Sequence, residues 1–541
     1  MSGGAAGAGT FYAQRFLAEV PRVLTLLDRH RLSRTYGCLD RNHWHYRTQD
    51  FPSGMYAEYA LALAHAHAAD LPGSRWRGEP ALREWALAAC RYAARSAHAD
   101  GSCDDYYPNE RALGATAFAA AAAAETMRVL DERPADLVAF ARKRATWLLD
   151  RHESGTLSNH HALVALAGAR AAAVGAGDDL RARALERLAE CLSWQHAEGW
   201  FPEYEGADPG YQTLTIAFLA ALREVLPSPP AALDAALERA LAFAAHFLHP
   251  DGSYGGEHGS RNTCQVLPSG FERLASRSPT ARYLADGWLA GAQAGVVGRP
   301  DDDRILCHTL GDLPVAHAAR VARGATGPAP WSPSEGVTSF PAARLLVVRR
   351  GDLHLVVGTS KGGAFRAFRG GRLLRAESGL VARDRKGRLF GTDRVDPTSE
   401  VEVGPTSVTV RGRFQRAKAN LPTPGKVLVF RAGTLTLGRV APDLVRRLLQ
   451  GALITGKQRV PLAFERTLDW GGPALVVRDR VVAERGAPAL VELAGATDAT
   501  SIYVATSRIW QDAGLQPWAD LSAALPTLAS TGAATVERSF P

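Results

Sequence analysis

Five short polar segments hold most of the side chains whose types and spacing suit chemistry. The first, Asp40-Arg41-Asn42-His43-Trp44-His45-Tyr46-Arg47, gathers cations, imidazoles and aromatics, a composition suited to a sugar ring and its carboxylate. Arg41, His43 and Trp44 are its binding candidates, although a well-bonded loop has the same composition. The second, Cys103-Asp104-Asp105-Tyr106-Tyr107-Pro108-Asn109-Glu110, opens an Ala-rich stretch and offers Tyr107; its acids also suit a helix N-terminus. In the third, Leu157-Ser158-Asn159-His160-His161, Ser158 reads as an N-cap and places Asn159 and His160 in the first turn of a helix. The fourth runs from Glu203 to Tyr211, again just ahead of a helix, and Tyr211 falls about fifty residues after His160. The fifth, Tyr254-Gly255-Gly256-Glu257-His258-Gly259-Ser260-Arg261-Asn262-Thr263, sets Glu257, His258, Arg261 and Asn262 among glycines, as in a loop whose backbone closely approaches something.

The elements that must position these segments come in two kinds. Up to about residue 325 the apolar pattern is helical, beginning with Phe11, Phe16, Val20, Val23 and Leu27. Further helices are expected over 53–69, 79–97, 111–130, 134–150, 159–174, 178–194, 209–226, 230–248, 262–276, 278–295 and 302–322. The linkers repeat: His98-Ala-Asp-Gly, His152-Glu-Ser-Gly, His196-Ala-Glu-Gly and His249-Pro-Asp-Gly lie 54, 44 and 53 residues apart. A period near 50 with two helices per unit indicates stacked helical hairpins, about six of which can close into an (α/α) toroid. Each linker Gly suits a left-handed helix stop, and the repeated His reads as structural, since a reaction needs one base and not four copies.

Near Gly324 the pattern changes. ATGPAPWSPSEG is a Pro/Gly/Ser linker, and β-branched runs follow at 343–348, 354–358, 401–403, 407–410, 426–430, 434–439, 474–477, 489–493 and 501–504. The expected fold is therefore an α+β multidomain chain: an N-terminal (α/α)6-type helical toroid over 1–325, a linker over 326–340 and a C-terminal antiparallel β-sandwich over 341–541.

Composition narrows the chemistry. The 541 residues are 46% hydrophobic and 22% charged, enough to bury a large core. Residues 1–330 carry 33 basic and 37 acidic side chains, whereas 331–541 carry 30 and 18, so the net charge of +8 sits in the second half. Residues 361–388 alone hold nine basic and two acidic groups, with Phe365 and Phe368 interleaved, and Arg366 and Arg369 are candidates for binding a polyanion. No nucleic-acid-binding fold accompanies them, so an acidic glycan is favoured over nucleic acid. The six cysteines form no metal-ligand or disulfide pattern. No signal peptide and no membrane span is visible, so a cytoplasmic protein is expected.

A helical toroid followed by an antiparallel sandwich, with Ser158-Asn159-His160 on a toroid helix and Tyr211 one hairpin later, resembles the heparinase II/III-like polysaccharide lyases and their alginate-lyase relatives. The resemblance implies that Asn159 and His160 neutralise a uronate carboxylate and that Tyr211 transfers a proton, with no cofactor. That family's sandwich usually brings a His-rich segment to the cleft, sometimes with zinc. Here the sandwich has the single His354, so metal is not expected, and His258 is substituted as the candidate base. The expected activity is β-elimination of a uronate-containing polysaccharide or oligosaccharide. A uronate C5-epimerase, a toroid glycoside hydrolase using Asp105, Glu110, Glu203, Glu205 or Glu257, and a noncatalytic glycan-binding protein remain open alternatives, and the oligomeric state is not legible.

Overall fold

The computed structural model describes residues 4–153, 155–204, 206–298, 302–324, 332–417, 422–453, 459–497 and 518–541. Its first half is helical and its second half is mostly antiparallel sheet. Among the described residues, no helix is long and apolar enough to cross a membrane.

Two kinds of helix alternate along the first half, and their sequences explain why. Leu113–Val129 is Ala-rich and apolar all round, and fourteen of its seventeen residues are buried, as expected of a helix packed on every side. Asp179–Ser193 has one apolar stripe and buries only Leu180, Ala184, Arg187, Leu188 and Cys191. The first kind forms a closed circuit of contacts. Tyr59–Ala68 touches Leu113–Val129, and contact passes on through Ser158–Ala173, Pro209–Val225, Pro268–Leu274, Asp312–Arg323 and Gly4–Leu26, which returns to Tyr59–Ala68. Helices Pro80–Arg95, Ala135–Leu149, Asp179–Ser193, Ala231–Ala245 and Pro279–Gln293 each pack on a member of that circuit.

The repeated His-x-x-Gly linkers are turns. Gly101, Gly199 and Gly252 donate their backbone N–H to the carbonyls of His98, His196 and His249 at 2.8–2.9 Å, and each Gly lies at positive φ, between 82° and 98°. A side chain is strained there, which is why Gly recurs. Two expected helices differ. The segment 302–322 is split at Gly311 into Asp303–Leu310 and Asp312–Arg323, and the helix expected over 262–276 shortens to Pro268–Leu274 because the chain up to Leu267 is loop. Ser158 is not a cap but the first helical residue; its Oγ donates instead to the carbonyl of Pro202 at 2.7 Å.

The last helix of the first half ends at Arg323, and β1 (Gly336–Phe340) begins inside the expected linker. A five-stranded antiparallel sheet runs β1-β2-β3-β4-β5, with β2 Leu345–Arg350, β3 Leu353–Gly358, β4 Ala364–Arg369 and β5 Arg372–Glu377. The second sheet uses β6 (Leu380–Asp384), β7 (Leu389–Gly391), β8 (Glu400–Val403), β9 (Ser407–Arg416), β10 (Arg459–Asp469), β11 (Leu475–Ala483), β12 (Leu490–Ala496), β13 (Trp518–Asp520) and β14 (Ala533–Phe540). Its order is β13-β12-β6-β7-β9-β10-β11-β14, with β8 added beside β9.

The first sheet is covered on both faces. Leu345, Val347 and Val356 join the helical core, whereas Leu346, Val348, Leu355, Val357 and Phe365 join the core of the second sheet. This explains the continuous apolar runs of β2 and β3, which a half-solvated sheet would not show. One correction is large. The runs 426–430 and 434–439, expected as strands, lie in a single helix, Pro424–Val440, followed by Pro442–Leu453. Thr423 caps it by accepting the Lys426 N–H, and Pro424 fills the first turn. The expected strand at 501–504 lies outside the described residues.

Candidate active site

Residues 201–204 are laid against the start of helix Ser158–Ala173. The Ser158 N–H donates to Pro202 O at 3.2 Å, and the Tyr204 N–H to Thr156 O at 3.0 Å. This docking brings two distant side chains together: Asn159 Nδ2 donates to Glu203 Oε1 at 2.8 Å, and both residues are buried. One residue on, His160 Nδ1 meets Glu153 Oε2 at 2.5 Å. The imidazole lies directly over Gly114, where an added Cβ would stand 2.7 Å from Cε1. Gly114 is thus required by close approach.

Asp208 organises the other side. It caps helix Pro209–Val225 by accepting the Tyr211 N–H on Oδ1 at 3.0 Å, and it accepts the Arg261 N–H on Oδ2 at 2.7 Å. One carboxylate therefore fixes the backbone of both residues. Gly210 allows the loop to come this close, since a Cβ there would collide with the side chain and carbonyl of Thr263. The Arg261 guanidinium lies over the rings of Tyr204, 4.1 Å from its centroid, and Tyr211, 5.3 Å away. His160, Tyr204, Tyr211 and Arg261 keep part of their surface open, with Asn159 and Glu203 behind them.

The environment retunes these groups. Burial pushes the Glu203 carboxyl up to about 7, with His160 and the Asn159 hydrogen bond pulling the other way. Burial also disfavours charge on His160, but the Glu153 carboxylate outweighs it and holds the imidazolium above its ordinary range. Burial raises the Tyr211 phenol to about 12 even though Arg261 opposes the rise. The site thus offers a phenol that donates, a carboxyl poised to take or give a proton near neutrality, the Arg261 guanidinium and an imidazole whose charged form Glu153 favours.

No family model and no curated protein matches the sequence. Solved structures do match in shape. A chondroitin AC lyase from Streptomyces coelicolor A3, solved with chondroitin sulphate, superposes over 92% of this chain and 68% of its own, at 13% identity and a TM-score of 0.57. A xanthan lyase from Paenibacillus superposes over 91% of this chain, at 11% identity and a TM-score of 0.54. This chain spans 46% of that enzyme's length. The fold is one shared with these two lyases.

On this lyase fold the expected site residues part company. Asn159, His160, Tyr211 and Arg261 come together. His258 does not: it is buried, stacks on Phe247 at 5.8 Å and faces His249, and burial beside Arg366 pushes its imidazole down to about 3. Glu257 and Arg366 form a buried bidentate pair at 3.0 and 3.1 Å, and Asn262 Oδ1 accepts from the buried Lys361 ammonium. These residues lock the fifth segment onto the first sheet and present nothing to a ligand. Arg369 donates to the Pro473 carbonyl, Arg383 pairs with Glu492 and Arg388 with Asp384, so several cations of the basic run already have partners in the fold.

Arg41 pairs with Asp303 at 2.8 Å, His43 Nδ1 meets Gln49 O at 3.1 Å, and Trp44 Nε1 donates to Leu26 O at 2.7 Å, so the first segment is a well-bonded helical turn, Arg41–Trp44, and the loop after it. Tyr107 is buried against Phe430 of the unexpected helix, whereas its neighbour Tyr106 is exposed beneath Arg304. Glu205 lies outside the described residues. Glu153 lies in a repeated linker and Tyr204 in the fourth segment without being singled out there, and Glu203 is named only among the alternative hydrolase acids. Glu203 and Tyr204 become recognisable once the docking of 201–204 is seen, and Glu153 through its contact with His160.

Proposed function

We propose that this chain is a lyase that cleaves a uronate-containing acidic polysaccharide or oligosaccharide by β-elimination, on an (α/α)6 toroid of residues 1–325 joined to a β-sandwich of 341–541. The observation that carries the reading is the Arg261 guanidinium seated on Tyr204 and Tyr211, beside the Asn159–Glu203 and His160–Glu153 pairs. Arg261 and the protonated His160 receive the uronate carboxylate and offset the charge that builds on it as the C5 proton leaves. Glu203, poised near neutrality, accepts that proton. Tyr211 gives its phenolic proton to the glycosidic oxygen as the C4–O bond breaks, leaving a C4–C5 double bond conjugated with the carboxylate. The acidic-glycan substrates named for the lyases of this shape, chondroitin sulphate and xanthan, favour the same class.

The test is ultraviolet absorbance from that conjugated product on a panel of chondroitin sulphate, xanthan and uronate oligosaccharides. A rise that Glu203→Gln abolishes supports the reading. New reducing ends without absorbance overturn it in favour of hydrolysis by Glu153 and Glu203, the two carboxylates that flank His160.

A further inference from the structure

Where the turn after helix Ala135–Leu149, the start of helix Ser158–Ala173 and the end of helix Asp179–Ser193 meet, three ligand-type side chains converge. His152 Nδ1 lies 3.2 Å from Glu190 Oε1, and His161 Nδ1 lies 3.8 Å from Glu190 Oε2. All three donor atoms fall within 4.8 Å of one another. We propose that His152, His161 and Glu190 bind one divalent transition-metal ion of the zinc class through two imidazole nitrogens and a carboxylate oxygen.

Four observations carry this. First, ligand atoms around a tetrahedral zinc at ordinary bond lengths stand about 3.4 Å apart; His152 Nδ1 is near that distance from Glu190 Oε1, at 3.2 Å, and His161 Nδ1 lies 3.8 Å from the other oxygen of the same carboxylate. Second, His161 is 1% exposed and neither ring nitrogen has a hydrogen-bond partner. A buried imidazole is rarely left so, and an ion at Nδ1 gives one of its two nitrogens a partner. Third, the His161 ring is clamped at 4.3 Å from Trp194, which holds it facing Glu190. Fourth, two nitrogens and one oxygen suit zinc or cobalt rather than magnesium or calcium, which prefer all-oxygen shells. Arg187 acts in both directions. Its guanidinium, anchored on the Leu149 and Arg151 carbonyls, fixes Glu190 Oε2 at 3.3 Å but repels a cation. The other mixed cluster among the described residues, Glu58–Cys307–His308, already pairs internally, with His308 Nδ1 2.5 Å and Cys307 Sγ 3.0 Å from the same Glu58 oxygen, and it leaves no such orphan.

The proposal does not depend on the lyase reading, but its position bears on the site. His152 directly precedes Glu153, which holds His160, so an ion here would tie the Glu153 turn to two helices. The metal-stripped full chain should be titrated with Zn2+ by calorimetry and with Co2+ by visible absorbance. One equivalent is expected, with a rise in Tm. His152→Ala, at an exposed position, and Glu190→Gln should each weaken binding by about 10-fold or more and remove the Tm rise. Glu58→Gln should leave the titration unchanged. Absence of stoichiometric binding, unaltered affinity in both variants, or loss in Glu58→Gln alone overturns the assignment.

Discussion

Asn159 and Glu203, 44 residues apart, are joined by one hydrogen bond of 2.8 Å, and the Asn159 carbonyl oxygen is left without a partner. The amide therefore sits beside a carboxyl whose charge state it helps to set. Because Asn159 is 1% exposed, it is not the freely replaceable rim residue that its place in a first turn suggests. Asn159→Ala should lower turnover on a proven substrate by about 10²–10³ and should also destabilise the chain. Full turnover in that variant would remove the pair from the mechanism.

Stability should report the Glu203 proton directly. Its folded pKa, about 7, lies above its ordinary 4.5, so its stabilising contribution is complete below 4.5 and is lost as pH rises through 7. The loss is on the order of 3 kcal/mol. Glu203→Gln, a permanent mimic of the protonated form, removes this dependence. The Tm of the parent chain should thus fall relative to the variant between pH 5 and 8. Parallel Tm curves would show that the carboxyl titrates normally.

Tyr211→Phe isolates the hydroxyl. The ring keeps its contact with Arg261 and its helical position capped by Asp208, so folding should be unaffected. Turnover should fall by about 10²-fold or more while substrate binding is retained. A variant that loses binding and keeps its rate per bound substrate would recast Tyr211 as a platform for the sugar ring.

Glu153 should act through His160. Without its charge, burial dominates and the imidazole deprotonates at lower pH. If protonated His160 holds the substrate, the fall of activity on the alkaline side should move to lower pH in Glu153→Gln and return part-way in Glu153→Asp. Gly114→Ala tests the same ring sterically, since the added methyl meets Cε1, and it should raise KM without moving that limb.

Arg366→Ala tests the basic run. The change removes the guanidinium that pairs with the buried Glu257 carboxylate, a loss of about 3–5 kcal/mol, so Tm should drop sharply. The salt dependence of glycan binding should stay the same. Weaker, flatter binding at unchanged Tm would restore a polyanion surface.

How much of this could be read from sequence depends on the range of the forces involved. The His-x-x-Gly turns were legible because a local backbone conformation selects Gly. Asn159, His160, Tyr211 and Arg261 stood out because polar residues clustered ahead of Ala-rich helices are locally unusual. The role of Glu203 was not legible, since it comes from the docking of 201–204 on 156–158. The run Lys426–Phe430 misled for a related reason. A short β-branched stretch has no decisive period, and its helix is held by distant partners: Asn109 Nδ2 donates to Thr434 O at 3.2 Å, and Tyr107 packs on Phe430. Likewise, nine basic residues in 361–388 look like a surface until strand pairing buries Lys361 and Arg366.

The Glu257–Arg366 and Lys361 contacts also bear on how this protein can be divided. Each places a charge from the sheet half inside a shell supplied by the helical half. Expressed alone, the sheet half would lose the oxygens that surround the Lys361 ammonium and the Arg366 guanidinium, and the helical half would lose the guanidinium that pairs with Glu257. Separating the halves should therefore cost each of them stability. A cut at the junction would give two fragments that regain shape only by finding each other, and inherited changes on one side of that seam are constrained by the other.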